Sequence, residues 1–250
     1  MSKVAVIGAG TMGHGIAYVT TVAGYEVTIT DVDEDILERA RAHIGLALDS
    51  GVMRGKVTEE VRREAMNRLT LSTDLEDTVR NASIIIEAAP EIVALKQDIF
   101  RRVSGVASDH ALLATNTSSL SVSDIASATN CPERVVGMHF FNPVAAMKLV
   151  EVIRGAETSD ATADRARAFA ESLGKKAIMV RDSPGFATSR LGIVLGLEAM
   201  RMLEQGVATA SDIDTAMELG YNHPVGPLKL TDIVGLDVRL AVADHLHESL

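Results

Sequence analysis

Between Lys3 and Gly13 the chain reads Lys-Val-Ala-Val-Ile-Gly-Ala-Gly-Thr-Met-Gly, an apolar run closing on glycines at 8, 10 and 13. Residues 3–7 predict a short buried strand. A helical pattern follows at once, with apolar Met12, Ile16, Ala17, Val19, Val22 and Ala23, and Gly24 stops it. Strand, G-x-G-x-x-G and helix in that order match the phosphate cradle of a dinucleotide-binding unit. In such a unit Gly8 permits the tight turn, Gly10 lets the backbone approach a pyrophosphate, and Gly13 lets the helix pack closely on the sheet. The helix N-terminus adds unpaired N–H groups and a positive dipole end. Glycine-rich turns are common, so the context decides.

That context is consistent. Tyr25-Glu-Val-Thr-Ile-Thr30 alternates with period two and predicts a second strand ending at Asp31, 18 positions after Gly13. A carboxylate about 20 residues on is expected at the adenosine ribose hydroxyls, and it would repel the 2′-phosphate of NADP, which favours NAD. The other reading of Asp31 is a turn aspartate opening the next helix. Helices are expected over 34–52 and 59–68, strands over 83–88, 111–115, 134–138 and 147–154, a helix over 160–173 and a strand over 176–180. From 183 onward the pattern is helical, with one helix over 190–205 and another from 210. The expected architecture is α/β: a Rossmann-type doubly wound sheet over residues 1–183, then a smaller all-α domain over 184–250. Ligands of such sheets lie beyond the strands' carboxyl ends, where Glu91, the Asn116-Thr-Ser-Ser119 loop and His139 fall.

His139, ending a strand on that side, is the leading general acid/base candidate. Glu151 lies in an apolar strand, where an unpaired carboxylate is costly, and a His139–Glu151 pair would resolve that cost. The competing reading makes His139 a hydrogen-bonded loop residue and Glu151 an edge-strand residue facing water. Arg54, Lys56, Arg62 and Arg63 form a basic cluster that is either a solvated helix-pair tip or a docking surface for a phosphate-bearing substrate. His14 is expected near solvent, and His43 has no partner pattern. No metal site is expected, since His245 and His247 point apart on a helix and no H-E-x-x-H occurs. The net charge of −10 argues against nucleic-acid binding. The single Cys131 excludes an internal disulfide framework and fits a reducing compartment. No run nears the ~18 apolar residues of a membrane span, so a cytoplasmic protein is expected.

Taken together, Gly8-Ala-Gly-Thr-Met-Gly13, Thr115-Asn-Thr-Ser-Ser-Leu120, Gly137-Met-His-Phe-Phe-Asn-Pro143, Lys148-Leu-Val-Glu-Val-Ile153 and Asp182-Ser-Pro-Gly-Phe186 closely resemble the L-3-hydroxyacyl-CoA dehydrogenase family, bacterial 3-hydroxybutyryl-CoA dehydrogenases included. The resemblance runs along essentially the whole chain. It implies oxidation of an (S)-3-hydroxyacyl thioester to the 3-oxo form with hydride passing to NAD, His139 as base, Glu151 as its partner and Ser118 on the substrate oxygen. It implies cofactor contacts at Gly8, Gly10, Thr11, Met12, Gly13, Asp31, Glu91, Lys96, Ser118 and Asn142. It further implies substrate contacts at Ser118, Asn142, Ser189, Arg54 and Lys56, and a homodimer. Two departures stand out. Ser189 occupies the place of a family asparagine, and family members usually extend past the position of Leu250, so the helical domain is expected to be short at its end. Same-fold alternatives are a dehydrogenase of a carrier-protein-bound acyl group or of a sugar acid such as L-gulonate, or a non-catalytic NAD-binding structural relative. The lysine-dependent β-hydroxyacid dehydrogenases fit less well, because a histidine–glutamate pair occupies the catalytic stretch.

Overall fold

The computed structural model describes residues 2–250. Two compact units divide the chain, one ending at Asp182 and the other running Ser183–Leu250. The first is built as β1 (Lys3–Ile7), α1 (Thr11–Val22), β2 (Glu26–Thr30), α2 (Glu34–Met53), α3 (Glu59–Asn67), β3 (Leu69–Ser72), α4 (Leu75–Arg80), β4 (Ile84–Glu87), α5 (Val93–Val106), β5 (Leu112–Thr115), α6 (Val122–Ala126), β6 (Val135–Phe140), β7 (Leu149–Arg154), α7 (Asp160–Ser172) and β8 (Lys176–Arg181).

The eight strands form one sheet in the order β3-β2-β1-β4-β5-β6-β7-β8. Every neighbouring pair is parallel except β6 and β7. The chain order reverses between β1 and β4, so the crevice at their carboxyl ends is the topological switch point where such sheets bind ligands. The interior strands are apolar at almost every position because helices cover both faces; all of β5 and β6 is buried. Ile16 and Ala17 of α1, Ile44 and Leu48 of α2 and Phe169 of α7 pack on Val6, Ile29, Ile86, Leu112 and Met138 of the strands in one core. Each large side chain so buried contributes about 1.5–3 kcal/mol. Side chains of Asp33, Thr58, Asp74, Ser121 and Ser159 accept hydrogen bonds from the first turns of α2, α3, α4, α6 and α7 and set where those helices start.

Two features differ from the sequence expectations. The pattern over 69–82 indicated no element, yet β3 and α4 occupy it. β3 is a four-residue edge strand with alternating threonine and serine, too short and polar for a periodicity signal. His139 also lies inside its strand rather than at its end, because pairing with β7 extends β6 to Phe140.

The second unit is helical: α8 (Thr188–Glu204), α9 (Ala210–Gly220), α10 (Pro227–Val234) and α11 (Leu236–Ser249). Thr209 caps α9, and the Asp214 carboxylate accepts the Leu228 and Lys229 N–H groups at 2.8 and 3.0 Å, which caps α10. No helix among the described residues is long and apolar enough to cross a membrane.

Candidate active site

The glycine loop joins β1 to α1 beside the switch point. Gly8 has φ +95°, and a Cβ there would come within 2.7 Å of the Ala88 carbonyl oxygen. A Cβ at Gly13 would overlap the Gly8 carbonyl oxygen. The protein itself therefore requires both glycines. Gly10 is different. Its φ is an ordinary −66°, and a Cβ on it would meet nothing within 4 Å. Open space in front of this backbone is what a dinucleotide diphosphate needs. No side chain caps α1 and no acidic residue lies in its first turn, so the leading N–H groups of Thr11 and Met12 suit an anion. Asp31 follows β2, with one carboxylate oxygen accepting the Ala9 N–H at 2.8 Å and the other the Val32 N–H at 2.8 Å. It is Asp33, not Asp31, that caps α2. Each Asp31 oxygen keeps a lone pair for a hydroxyl donor.

The antiparallel register of β6 and β7 sets His139 directly opposite Glu151. Side chains of directly opposed residues share a face, and here His139 Nδ1 meets Glu151 Oε2 at 2.7 Å. The side chains are 7% and 0% exposed, so the reading of Glu151 as a water-facing edge residue is wrong. β8 flanks β7 and removes the edge. A carboxylate offers only lone pairs, so the bridging proton sits on Nδ1 and Nε2 is the basic nitrogen. The Phe141 ring packs 4.3 Å from the imidazole.

Between these two features lie the ends of β4 and β5. Glu91 Oε1 accepts the Ser118 N–H at 2.8 Å and the Thr117 hydroxyl, and Thr117 Oγ1 in turn accepts the Leu120 N–H at 3.0 Å. This turn presents Ser118 to solvent, with no hydrogen-bond partner for its hydroxyl among the described residues. Asn116 Oδ1 accepts the Phe140 N–H at 3.0 Å and ties the loop to the strand that carries His139. Lys96 lies underneath. Its side chain is 0% exposed, and Nζ donates to both Glu87 oxygens at 2.7 and 3.0 Å and to the Ala89 and Asn116 carbonyls at 3.3 Å.

The model of the 3-hydroxyacyl-CoA dehydrogenase NAD-binding domain matches residues 3–183, and that of the family's C-terminal domain matches residues 185–250. The chain belongs to the 3-hydroxyacyl-CoA dehydrogenase family. It is 42% identical over 250 residues to a probable 3-hydroxybutyryl-CoA dehydrogenase of Bacillus subtilis, covering 100% of this chain and 87% of the relative. To a 3-hydroxybutyryl-CoA dehydrogenase of Bradyrhizobium diazoefficiens it is 41% identical, over 100% of this chain and 85% of the relative. The crystal structure of (S)-3-hydroxybutyryl-CoA dehydrogenase PaaH1 from Ralstonia eutropha superposes with a TM-score of 0.95 at 40% identity, over 100% of this chain and 88% of that one.

For this dehydrogenase the remaining expected residues fall as follows. Arg54 ends α2, exposed, with Nε donating back to the Ser50 carbonyl at 3.1 Å; Lys56 is exposed in the turn before α3. Arg62 is paired with Asp49, so the basic cluster is partly neutralised. Asn142 is exposed just beyond β6. Ser189 lies in the first turn of α8, in the second unit. Lys96, expected at the cofactor, is buried beneath the strand ends with its ammonium on the Glu87 carboxylate and the Ala89 and Asn116 carbonyls.

Three residues of the site region were missed. Glu87 carried the signal that exposed Glu151, a carboxylate closing an otherwise apolar strand. Asn116 was read only as part of a loop. Lys175, whose Nζ donates to the Val144 and Met147 carbonyls and so pins the loop after β6, had no sequence signal.

Proposed function

We propose that this family member oxidises (S)-3-hydroxyacyl-CoA thioesters, 3-hydroxybutyryl-CoA among them, to 3-oxoacyl-CoA in the cytoplasm. NAD, when bound, supplies the hydride acceptor for C3. The residues suited to hold it are Gly8, Gly10, Thr11, Met12 and Gly13 for the diphosphate, Asp31 for the ribose hydroxyls, and Glu91, Ser118 and Asn142 toward the nicotinamide end. The observation that carries the reading is the sealed His139–Glu151 pair on the ligand side of a sheet whose switch point holds the glycine cradle.

His139 Nε2 takes the hydroxyl proton as C3 is oxidised. Glu151 fixes the ring orientation and tautomer and balances the imidazolium that forms. Ser118, presented by the Glu91–Thr117 turn, donates to the substrate oxygen as it becomes a carbonyl. Arg54 and Lys56 meet the CoA phosphates, and Ser189 stands for a substrate contact that asparagine makes elsewhere in the family. The active species is a homodimer. Its second unit exposes Leu191, Leu219, Tyr221, Ile233, Leu236 and Leu240, each more than 60% accessible, apolar side chains that a second copy would cover.

The test is NADH formation from a chain-length series of (S)-3-hydroxyacyl-CoAs, with L-gulonate as alternative substrate and NADP as alternative acceptor. The proposal expects NAD-dependent turnover of short-chain thioesters, with charge reversal at Arg54 and Lys56 raising KM for them. Turnover of L-gulonate alone, or of no thioester, refutes it.

A further inference from the structure

We propose that Glu87 and Lys96 form a positioning pair that sets the spacing of the three walls of the active site. Glu87 is 0% exposed at the end of β4, and Lys96, also 0% exposed, rises to it from the first turn of α5. Each wall is reached through one or two bonds from this pair. Toward the glycine loop, Glu87 Oε1 accepts the Ala89 N–H at 2.7 Å, and residues 88 and 89 are those against which Gly8 packs. Toward Ser118, the ammonium lies 3.5 Å from Glu91 Oε2, and the other Glu91 oxygen holds the Ser118 N–H. Toward His139, the ammonium holds the Asn116 carbonyl while the Asn116 side chain holds Phe140 N–H, one residue past the histidine. Thr115 completes the hub by donating to Glu87 Oε2 at 2.6 Å.

A buried ion pair is a poor source of stability, because both charges lose their hydration, and well-packed neutral replacements are often as stable or more so. Burial pushes the Glu87 carboxyl up even against the lowering effect of Lys96, so the surroundings resist the charge. What the pair supplies is geometry: an ammonium aims three donors at fixed acceptors. Here the acceptors belong to the end of β4 and to the loops that follow β4 and β5, which must converge. Displacement of a reacting group by about 1 Å can cost ~10² in rate.

The inference rests on the proposed roles of His139 and Ser118, and the test separates the two. Glu87→Gln, Lys96→Met, the Glu87→Gln/Lys96→Met double variant, Thr115→Val and His139→Ala are compared for melting temperature, NADH affinity by fluorescence, kcat and thioester KM. A positioning role predicts that the double variant melts near wild type, and its turnover is read at saturating NAD. Its kcat falls at least ~10-fold with KM little changed. A merely structural pair predicts that the folded double variant regains wild-type kcat, which overturns the inference. If the double variant fails to fold, Thr115→Val decides: a kcat loss of ~3-fold or more at unchanged KM supports the pair's role, and wild-type kcat overturns it. His139→Ala with wild-type turnover would mean that the site reading itself has failed.

Discussion

Gly10 and Gly13 are the same residue for different reasons, and the difference is measurable. Gly13 has no room for a Cβ, whereas Gly10 has room and an ordinary backbone angle. Gly13→Ala should destabilise the fold by roughly 1–3 kcal/mol through forced overpacking. Gly10→Ala should change stability by less than about 0.5 kcal/mol, as expected for a surface-like substitution, yet weaken NADH binding at least ~10-fold by filling the diphosphate space. Thermal melts and a fluorescence titration check both; tight NADH binding by Gly10→Ala would contradict the cradle. His14 offers a second residue-scale test. Burial, and then the His43 ring whose centroid lies 5.0 Å away, hold its imidazole below the ordinary value. His14 is thus half-buried and packed against the His43 ring. The folded state binds this proton more weakly than the unfolded chain. The penalty is complete below the depressed folded value and disappears as pH rises through the ordinary histidine value of 6.5. His14→Gln should flatten the acid-side fall in melting temperature between about pH 7.5 and 5, and an unchanged slope would refute the assignment.

At the scale of elements, the site depends on one irregularity, the antiparallel β7 laid against an otherwise parallel β1–β6 set. The His139–Glu151 pairing was legible as chemistry, since a carboxylate in an apolar strand demands a partner. The register that creates it was not, because strand direction depends on the 141–148 connection, which has no periodicity. β3 and α4 were illegible for a related reason: four and six residues are too few to show a period. Caps and glycine stops were readable, being local chemistry. Glu87, Lys96 and Asn116 converge only once β4, β5 and α5 are side by side, so no window of sequence displays them together. The 141–148 connection also invites a test. Lys175 holds its Val144 and Met147 carbonyls, and burial pushes the ammonium down, so that contact is partly desolvated. Lys175→Met should speed amide hydrogen exchange in residues 141–148 and raise thioester KM several-fold, leaving NADH affinity unchanged. Unaltered exchange would mean that the loop is held by other contacts.

At the scale of the whole molecule, the first unit carries the cradle and the proposed acid/base pair, and the second exposes Leu191, Leu219, Tyr221, Ile233, Leu236 and Leu240. Contiguous exposed apolar patches mark interaction surfaces, and a stable interface buries about 800 Å² per partner. Sedimentation of the wild-type protein at micromolar concentration should therefore show a dimer, and Ile233→Asp with Leu240→Asp should shift it to monomer. A wild-type monomer across that range would contradict the homodimer.

On the proposed mechanism, the buried His139–Glu151 pair performs the proton transfer of an NAD-dependent hydroxyacyl-CoA oxidation. Its most direct test is kcat for (S)-3-hydroxybutyryl-CoA in purified His139→Ala and Glu151→Gln, each confirmed to bind NADH and to melt near wild type. Loss of at least ~10² in kcat in both variants is the expected result. Near-wild-type turnover in either folded variant would contradict it.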